Sequence, residues 1–240
     1  VLMHSSQTFI LIHGAWHASW CWRPIAKELF LKGHKVLMPN LPGHGLKNQI
    51  SSSICFNDYV QSVVELIKQQ PEQVTLVGHS MAGLVIAEAA EVIPDAIREL
   101  VFIAAYVPKD QKSLFSLAQE SKSNNLTPFL IIDETLQQIR LQCSPDLANI
   151  FFNCCSPEDA QKAMARLQPQ PLRPFTESVN IGKQFTCISK RSLVCRYDKA
   201  LLLSDQLRMS REVTDNIVYL DADHAAYYSG VRQIVDELLK

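Results

Sequence analysis

Ser80 stands between two glycines in Leu76–Gly83, "LVGHSMAG", a G-x-S-x-G-like pattern with Ala82 before the second glycine. A serine hydroxyl attacks a carbonyl only when a neighbouring base takes its proton. The pattern alone occurs by chance, but here an apolar run, Val74 to Val77, precedes it and a helix-like segment follows from Leu84. A serine on so sharp a strand-to-helix turn needs small neighbours, which Gly78, Ala82 and Gly83 supply. The helix N-terminus beyond it favours developing negative charge. His224, in "VYLDADHAAYY", is the one histidine of seven that follows Ser80 in the chain. Where a serine, an acid and a histidine occur in that order, the acid follows the preceding strand. Asp198, two residues past "SLVCR", meets that requirement and would hold the imidazole in the right tautomer. Asp205 is the fallback, in a helix-like stretch, whereas Asp221 and Asp223 suit the turn beside His224. Upstream, "LIHGAWHASW" places an His-Gly turn after the first apolar run. There the Ala15 N–H can join that of Met81 as a two-donor oxyanion hole. His13 and His79 read as packing residues, and His17 either lines the pocket or faces solvent. The chemistry expected is acyl transfer.

These residues need a scaffold, and the sequence alternates accordingly. Thr8–Ile12, Lys35–Pro39, Val74–Val77, Leu100–Ala105, Ser192–Arg196 and Asn216–Leu220 are short apolar runs, suited to strands buried on both faces. Between them, Asn57–Gln70 predicts an amphipathic helix capped by its asparagine. Met81–Ile93 predicts one apolar nearly all round, and Val231–Leu239 a closing amphipathic helix. Strand and helix in alternation predict an α/β fold with a mostly parallel central sheet flanked by helices. Pro108 to about Lys190 shows no convincing strand run but several helix-like pieces, and holds the proline-dense "LQPQPLRPF". It is expected to be an inserted helical cap (108–190) on a core of 1–107 and 191–240, roofing the carboxyl ends of the strands. Phe115, Leu126, Phe129, Phe151 and Phe175 either line the pocket or hold the cap together, and Phe129 is taken for the pocket.

The 240 residues carry 47% hydrophobic and 20% charged side chains with a net charge of −1, which points away from nucleic acid and anionic membranes. No apolar run approaches the ~20 residues of a membrane span. The opening "VLMHSSQTFILIHG" has no charged region before its apolar run, so no signal peptide is expected. Seven cysteines at irregular spacing, without a C-x-x-C pair, argue against zinc and against a disulfide framework. Free thiols in the cytoplasm are the expectation.

Together these segments resemble the α/β-hydrolase superfamily, and within it the plant methylesterase and hydroxynitrile-lyase group with its bacterial relatives. "HGAWHASWCW", "GHKVLMPNLPGHG", "VTLVGHSMAGL", "LVFIAAYVP", "CSPEDA", "DKA" and "DADH" follow that group in order and approximate spacing. The resemblance implies a capped hydrolase with a buried pocket, no metal and no cofactor. It assigns Ser80 as nucleophile, Asp198 as acid, His224 as base, and Ala15 and Met81 as oxyanion donors. Its lyases carry threonine or asparagine where this chain has Gly14. Those using threonine have a lysine after the catalytic histidine, where this chain has Ala225. Both positions are counted with the pocket and favour the esterase branch. "HAAYYSG" lacks the group's methionines and "KALLL" its proline, which bears on the choice of substrate. The expectation is a serine carboxylesterase for small apolar or aromatic esters, methyl esters included. A lyase or a hydrolase-fold receptor with little turnover are the alternatives, and a homodimer is left open.

Overall fold

The computed structural model describes residues 5–45 and 51–240, so the first four residues of the opening stretch lie outside it. The described residues form nine strands. They are β1 (Thr8–Ile12), β2 (Lys35–Leu37), β3 (Val74–His79), β4 (Ile97–Ile103), β5 (Leu130–Asp133), β6 (Gln138–Leu141), β7 (Gln170–Pro171), β8 (Lys190–Cys195) and β9 (Ile217–Leu220). Six of them build one sheet in the order β2-β1-β3-β4-β8-β9, and every pairing in it is parallel. All six residues of β3 are buried, as a central strand covered on both faces must be.

The helices are α1 (Arg23–Leu31), α2 (Phe56–Lys68), α3 (Ala82–Val92), α4 (Leu114–Gln119), α5 (Pro145–Phe151), α6 (Pro157–Met164), α7 (Arg173–Thr176), α8 (Lys183–Cys187), α9 (Leu203–Ser210), α10 (Ala226–Ser229) and α11 (Val231–Leu238). Six of them form two groups beside the sheet, α1 with α10 and α11, and α3 with α2 and α8. Leu84, Val85, Ile86, Ala87, Ala89 and Ala90 of α3 are all inaccessible to solvent, which is why that helix is apolar all round. The predicted Asn57 cap is displaced: α2 begins at Phe56 with Cys55 at its N-cap. The reason is that the Asp58 carboxylate accepts the Cys55 N–H at 2.8 Å, and Glu177 accepts that of Phe56 at 2.6 Å.

Between β4 and β8 the chain inserts α4 to α8, but the insert is not wholly helical as expected. β5, β6 and β7 form a three-stranded antiparallel sheet. β5 does carry an apolar run, Leu130–Ile132, but it is only three residues long and largely exposed, whereas β6, with Ile139 its one buried residue, and β7 have none. β7 is a two-residue strand inside the proline-dense stretch.

In the main sheet, Ile12 pairs with Gly78 and His79 with Ile103. The carboxyl ends of the central strands therefore finish side by side. Ala15, Ser80, Tyr106, Asp198 and His224 all follow the ends of strands at this edge, where open α/β sheets bind ligands.

Candidate active site

Ser80 occupies the left-handed region, with φ of +54°, a conformation that costs a non-glycine residue roughly 1–3 kcal/mol. Its surroundings hold it there. The Ser80 N–H donates to the Ile103 carbonyl at 3.3 Å, and its own carbonyl accepts from Gly83 and Tyr106, each at 3.1 Å. The flanking glycines are steric necessities. A Cβ on Gly83 would lie 1.8 Å from the Tyr106 carbonyl oxygen, and one on Gly78 would lie 2.9 Å from that of Ala82.

His224 and Asp198 are both buried, and the imidazole donates through Nδ1 to Asp198 Oδ2 at 2.7 Å. The carboxylate is otherwise saturated. Oδ1 accepts the N–H groups of Ala200 and Leu201 at 2.8 Å each, and Oδ2 also accepts Gln206 Nε2 at 3.0 Å. With Nδ1 committed to Asp198, the basic nitrogen of a neutral His224 is Nε2. The Phe151 ring packs on the imidazole at 5.5 Å, and His79 donates from Nε2 to the His224 carbonyl at 2.7 Å.

The loop after β1 is wired in from three sides. His17 Nδ1 donates to the Ala15 carbonyl at 2.7 Å, leaving Nε2 to accept the Tyr227 hydroxyl at 2.6 Å. His44 Nδ1 donates to the His17 carbonyl at 2.8 Å and Nε2 accepts the Tyr59 hydroxyl at 2.7 Å. From the insert, Gln170 Oε1 accepts the Trp16 N–H at 3.4 Å while its amide donates to the Tyr59 oxygen at 3.1 Å. Trp16 itself has φ of +62°, a rare conformation for so bulky a residue, and its indole N–H is anchored on the Ile139 carbonyl at 3.1 Å. Burial drives the pKa of His17 and of His44 down to about 4, so both imidazoles are neutral and can both donate and accept. This network fixes the backbone of Ala15. Among the described residues, neither the Ala15 nor the Met81 N–H donates to a protein acceptor.

Ala15, Ser80, Met81 and His224 line one cavity of about 270 Å³. Trp16, Phe115, Phe151 and Phe175 form its aromatic wall, Trp16 and Phe115 each meeting Phe175 edge-on at 5.5–5.6 Å. Among the described residues, no lysine, arginine, aspartate or glutamate lines it. No cluster of three His, Cys, Asp or Glu among them could hold a metal ion.

His17 lines this cavity, and so do Phe115, Leu126, Phe151 and Phe175. Gly14, Phe129 and Ala225, expected in the pocket, are not in its wall. Gly14 lies beneath the nucleophilic turn, where a Cβ would come within 3.0 Å of Ser80 Cβ. Phe129 ends a short 3-10 turn, its N–H tied to the Leu126 carbonyl at 2.9 Å. Ala225 is buried at the start of α10 and donates its N–H to the Phe151 carbonyl. Asp205, the fallback acid, is turned elsewhere and accepts the Ser121 hydroxyl at 2.5 Å. Sequence reasoning missed Gln206, Gln170 and Tyr59. A glutamine on the buried face of α9, directly after the Asp198 loop, was the available signal for the first.

A parallel sheet with a serine elbow and an Asp–His pair at its carboxyl edge is the architecture of a hydrolase. The chain belongs to the alpha/beta hydrolase family, whose profile matches residues 9–237. It is 26% identical to Methylesterase 9 of Arabidopsis thaliana, over 97% of this chain and 96% of that one. It is 39% identical to the carbendazim hydrolyzing esterase of a Nocardioides strain, over 45% of this chain and 46% of that protein. In structure it is similar to polyneuridine aldehyde esterase, with a TM-score of 0.87 at 23% identity over 98% of both chains. Its relatives place the chain among the carboxylic ester hydrolases.

Proposed function

We propose that the protein is a serine carboxylesterase for small, uncharged esters with an apolar or aromatic part, methyl esters included. His224 Nε2 takes the Ser80 hydroxyl proton as Oγ adds to the ester carbonyl. The tetrahedral oxyanion is held by the N–H groups of Ala15 and Met81, and Asp198 stabilises the imidazolium without taking its proton. Collapse breaks the ester C–O bond, and the alcohol leaves with the proton from His224. Water then loses a proton to His224 and attacks the acyl-enzyme, releasing the acid and restoring Ser80.

The observation that carries this reading is the 2.7 Å Asp198–His224 bond behind a cavity into which a strained Ser80 opens. The substrate class is supported by the cavity wall, which is aromatic and free of charged side chains among the described residues. That wall also disfavours a lyase, since a departing cyanide would find no cation. The cavity volume, just below the roughly 300 Å³ at which pockets for drug-sized ligands begin, supports a small substrate. All seven cysteines are unpaired, which fits action in the cytoplasm.

The test is hydrolysis of a panel of nitrophenyl and methyl esters by the wild type and by Ser80→Ala. Loss of the nucleophile should lower kcat by about 10³-fold or more. Equal rates from the two proteins would remove Ser80 from the mechanism. Tight binding without turnover by the wild type would make the protein a receptor.

A further inference from the structure

One wall of the cavity is polar, and nearly all its polar groups are already engaged or solvated. Ser121 donates its hydroxyl to Asp205 Oδ2 at 2.5 Å. Ser123 donates to Asn125 Oδ1 at 3.0 Å, and Asn125 Nδ2 donates to the Lys199 carbonyl at 2.8 Å. Gln119, Asn124 and Thr127 are exposed at the mouth and have water for a partner. Tyr106 is neither tied to the protein like the first three nor exposed like the last three. It lines the cavity beyond the end of β4, its ring is half-buried, and among the described residues no protein group bonds its hydroxyl.

Its position is fixed by the backbone. The Tyr106 N–H donates to the Ser80 carbonyl at 3.1 Å, and the Tyr106 carbonyl sits against Gly83, where a Cβ would come within 1.8 Å of it. Tyr106 is thus locked to the same turn that presents the nucleophile. Burial, with the carboxylates of Asp198 and Asp205 in range, raises its pKa and keeps the phenol protonated. A protonated phenol is a donor, and one that meets only the solvent of the cavity loses its partner when a hydrocarbon group displaces that solvent.

We propose that Tyr106 is a specificity-determining residue whose hydroxyl donates a hydrogen bond to an acceptor oxygen of the substrate other than the scissile ester group. This rests on the esterase reading above and narrows its substrate class. The preferred esters carry an ether, hydroxyl or carbonyl oxygen a few bonds from the reacting carbon, with their apolar part against Trp16, Phe151 and Phe175. An all-hydrocarbon ester of the same size leaves the phenol unpaired in the complex and is discriminated against.

The experiment compares wild type with Tyr106→Phe, which keeps the ring and removes only the hydroxyl. The probes are matched pairs of esters in which one methylene is replaced by oxygen. 4-Nitrophenyl butyrate against methoxyacetate and pentanoate against 3-methoxypropionate place the oxygen in the acyl part; butyl against 2-methoxyethyl benzoate places it in the alcohol. Intrinsic reactivity differs within each pair, so the quantity read is the ratio of kcat/KM for oxygen over methylene, wild type divided by variant. A neutral hydrogen bond of about 0.5–1.5 kcal/mol predicts that this quotient is roughly 2–13 for at least one pair. An unchanged quotient across all pairs, with hydrolysis intact, overturns the role of Tyr106 and leaves the esterase reading standing. If Ser80→Ala hydrolyses the same esters as fast as wild type, the esterase reading falls and takes this one with it. An equal thermal midpoint for wild type and Tyr106→Phe ties the quotient to the hydroxyl rather than to packing.

Discussion

Asp198 illustrates how much a single carboxylate is asked to do. Four donors converge on it, and only one of them is His224. The two backbone N–H groups hold the loop, while Gln206 fixes Oδ2 and at the same time accepts the Cys195 N–H at 2.9 Å through its own oxygen. Asp198→Asn should therefore fold, since the amide can keep several of these contacts. Its cost falls on the tautomer of His224, because an amide that presents N–H to Nδ1 forces the proton to Nε2, where the base is needed. A fall in kcat of about 10⁴-fold is expected from such a change, with a thermal midpoint near that of wild type. If Asp205→Asn gave the larger loss instead, the acid would be misassigned. That Asp198 rather than Asp205 meets His224 was legible in the sequence from strand position. Gln206 was not, because a polar residue on a helix shows its purpose only when the loop it faces has folded.

At the scale of elements, the turn between β3 and α3 was readable because its chemistry is local: a strand, small residues and a helix within a dozen positions. The small sheet of the insert was not. β7 exists because Gln138 pairs with Pro171 and Ile139 with Gln170, partners about thirty residues apart, and no periodicity within either segment reports that contact. The same tertiary logic governs residues 119–127, which form the mouth of the cavity. They are latched to the core by the Ser121–Asp205 bond, by Arg208, which bridges Glu120 and Asp205 at 3.2–3.3 Å, and by Asn125 on the Lys199 carbonyl. The arginine pairs are partly exposed and worth little singly, so the buried Asp205 dominates the latch. Asp205→Ala should loosen this arm without touching the reacting groups. Hydrogen exchange should quicken across 119–127, KM should rise several-fold, and kcat should stay within about twofold. A fall in kcat with unchanged KM would mean that Asp205 serves the chemistry after all.

Across the whole molecule, the site depends on histidines that must stay uncharged. His13, His17, His44 and His79 are buried, and burial lowers the pKa of each; neighbouring imidazoles add to the shift for His13, His17 and His79. In the network around Ala15, Nε2 of His17 and Nε2 of His44 each accept a tyrosine hydroxyl, which a protonated imidazole cannot do. The sign of the linkage follows from where the protons bind. Unfolded, a histidine takes up its proton near pH 6.5, whereas folded His17 and His44 do so only near pH 4. Between those values the unfolded chain binds more protons, so stability falls as the pH is lowered through that window and levels off beneath it. Each of the two loses about 1 kcal/mol by pH 5.5 and on the order of 3 kcal/mol below pH 4. Urea midpoints should accordingly drop steeply from pH 7 to pH 5, and His44→Phe, which removes one of the titrating groups, should flatten the slope even if it lowers the midpoint at pH 7. A midpoint constant from pH 7 to pH 5 would mean that these imidazoles are not held neutral by the fold, and that the loop carrying Ala15 is positioned by something other than this network.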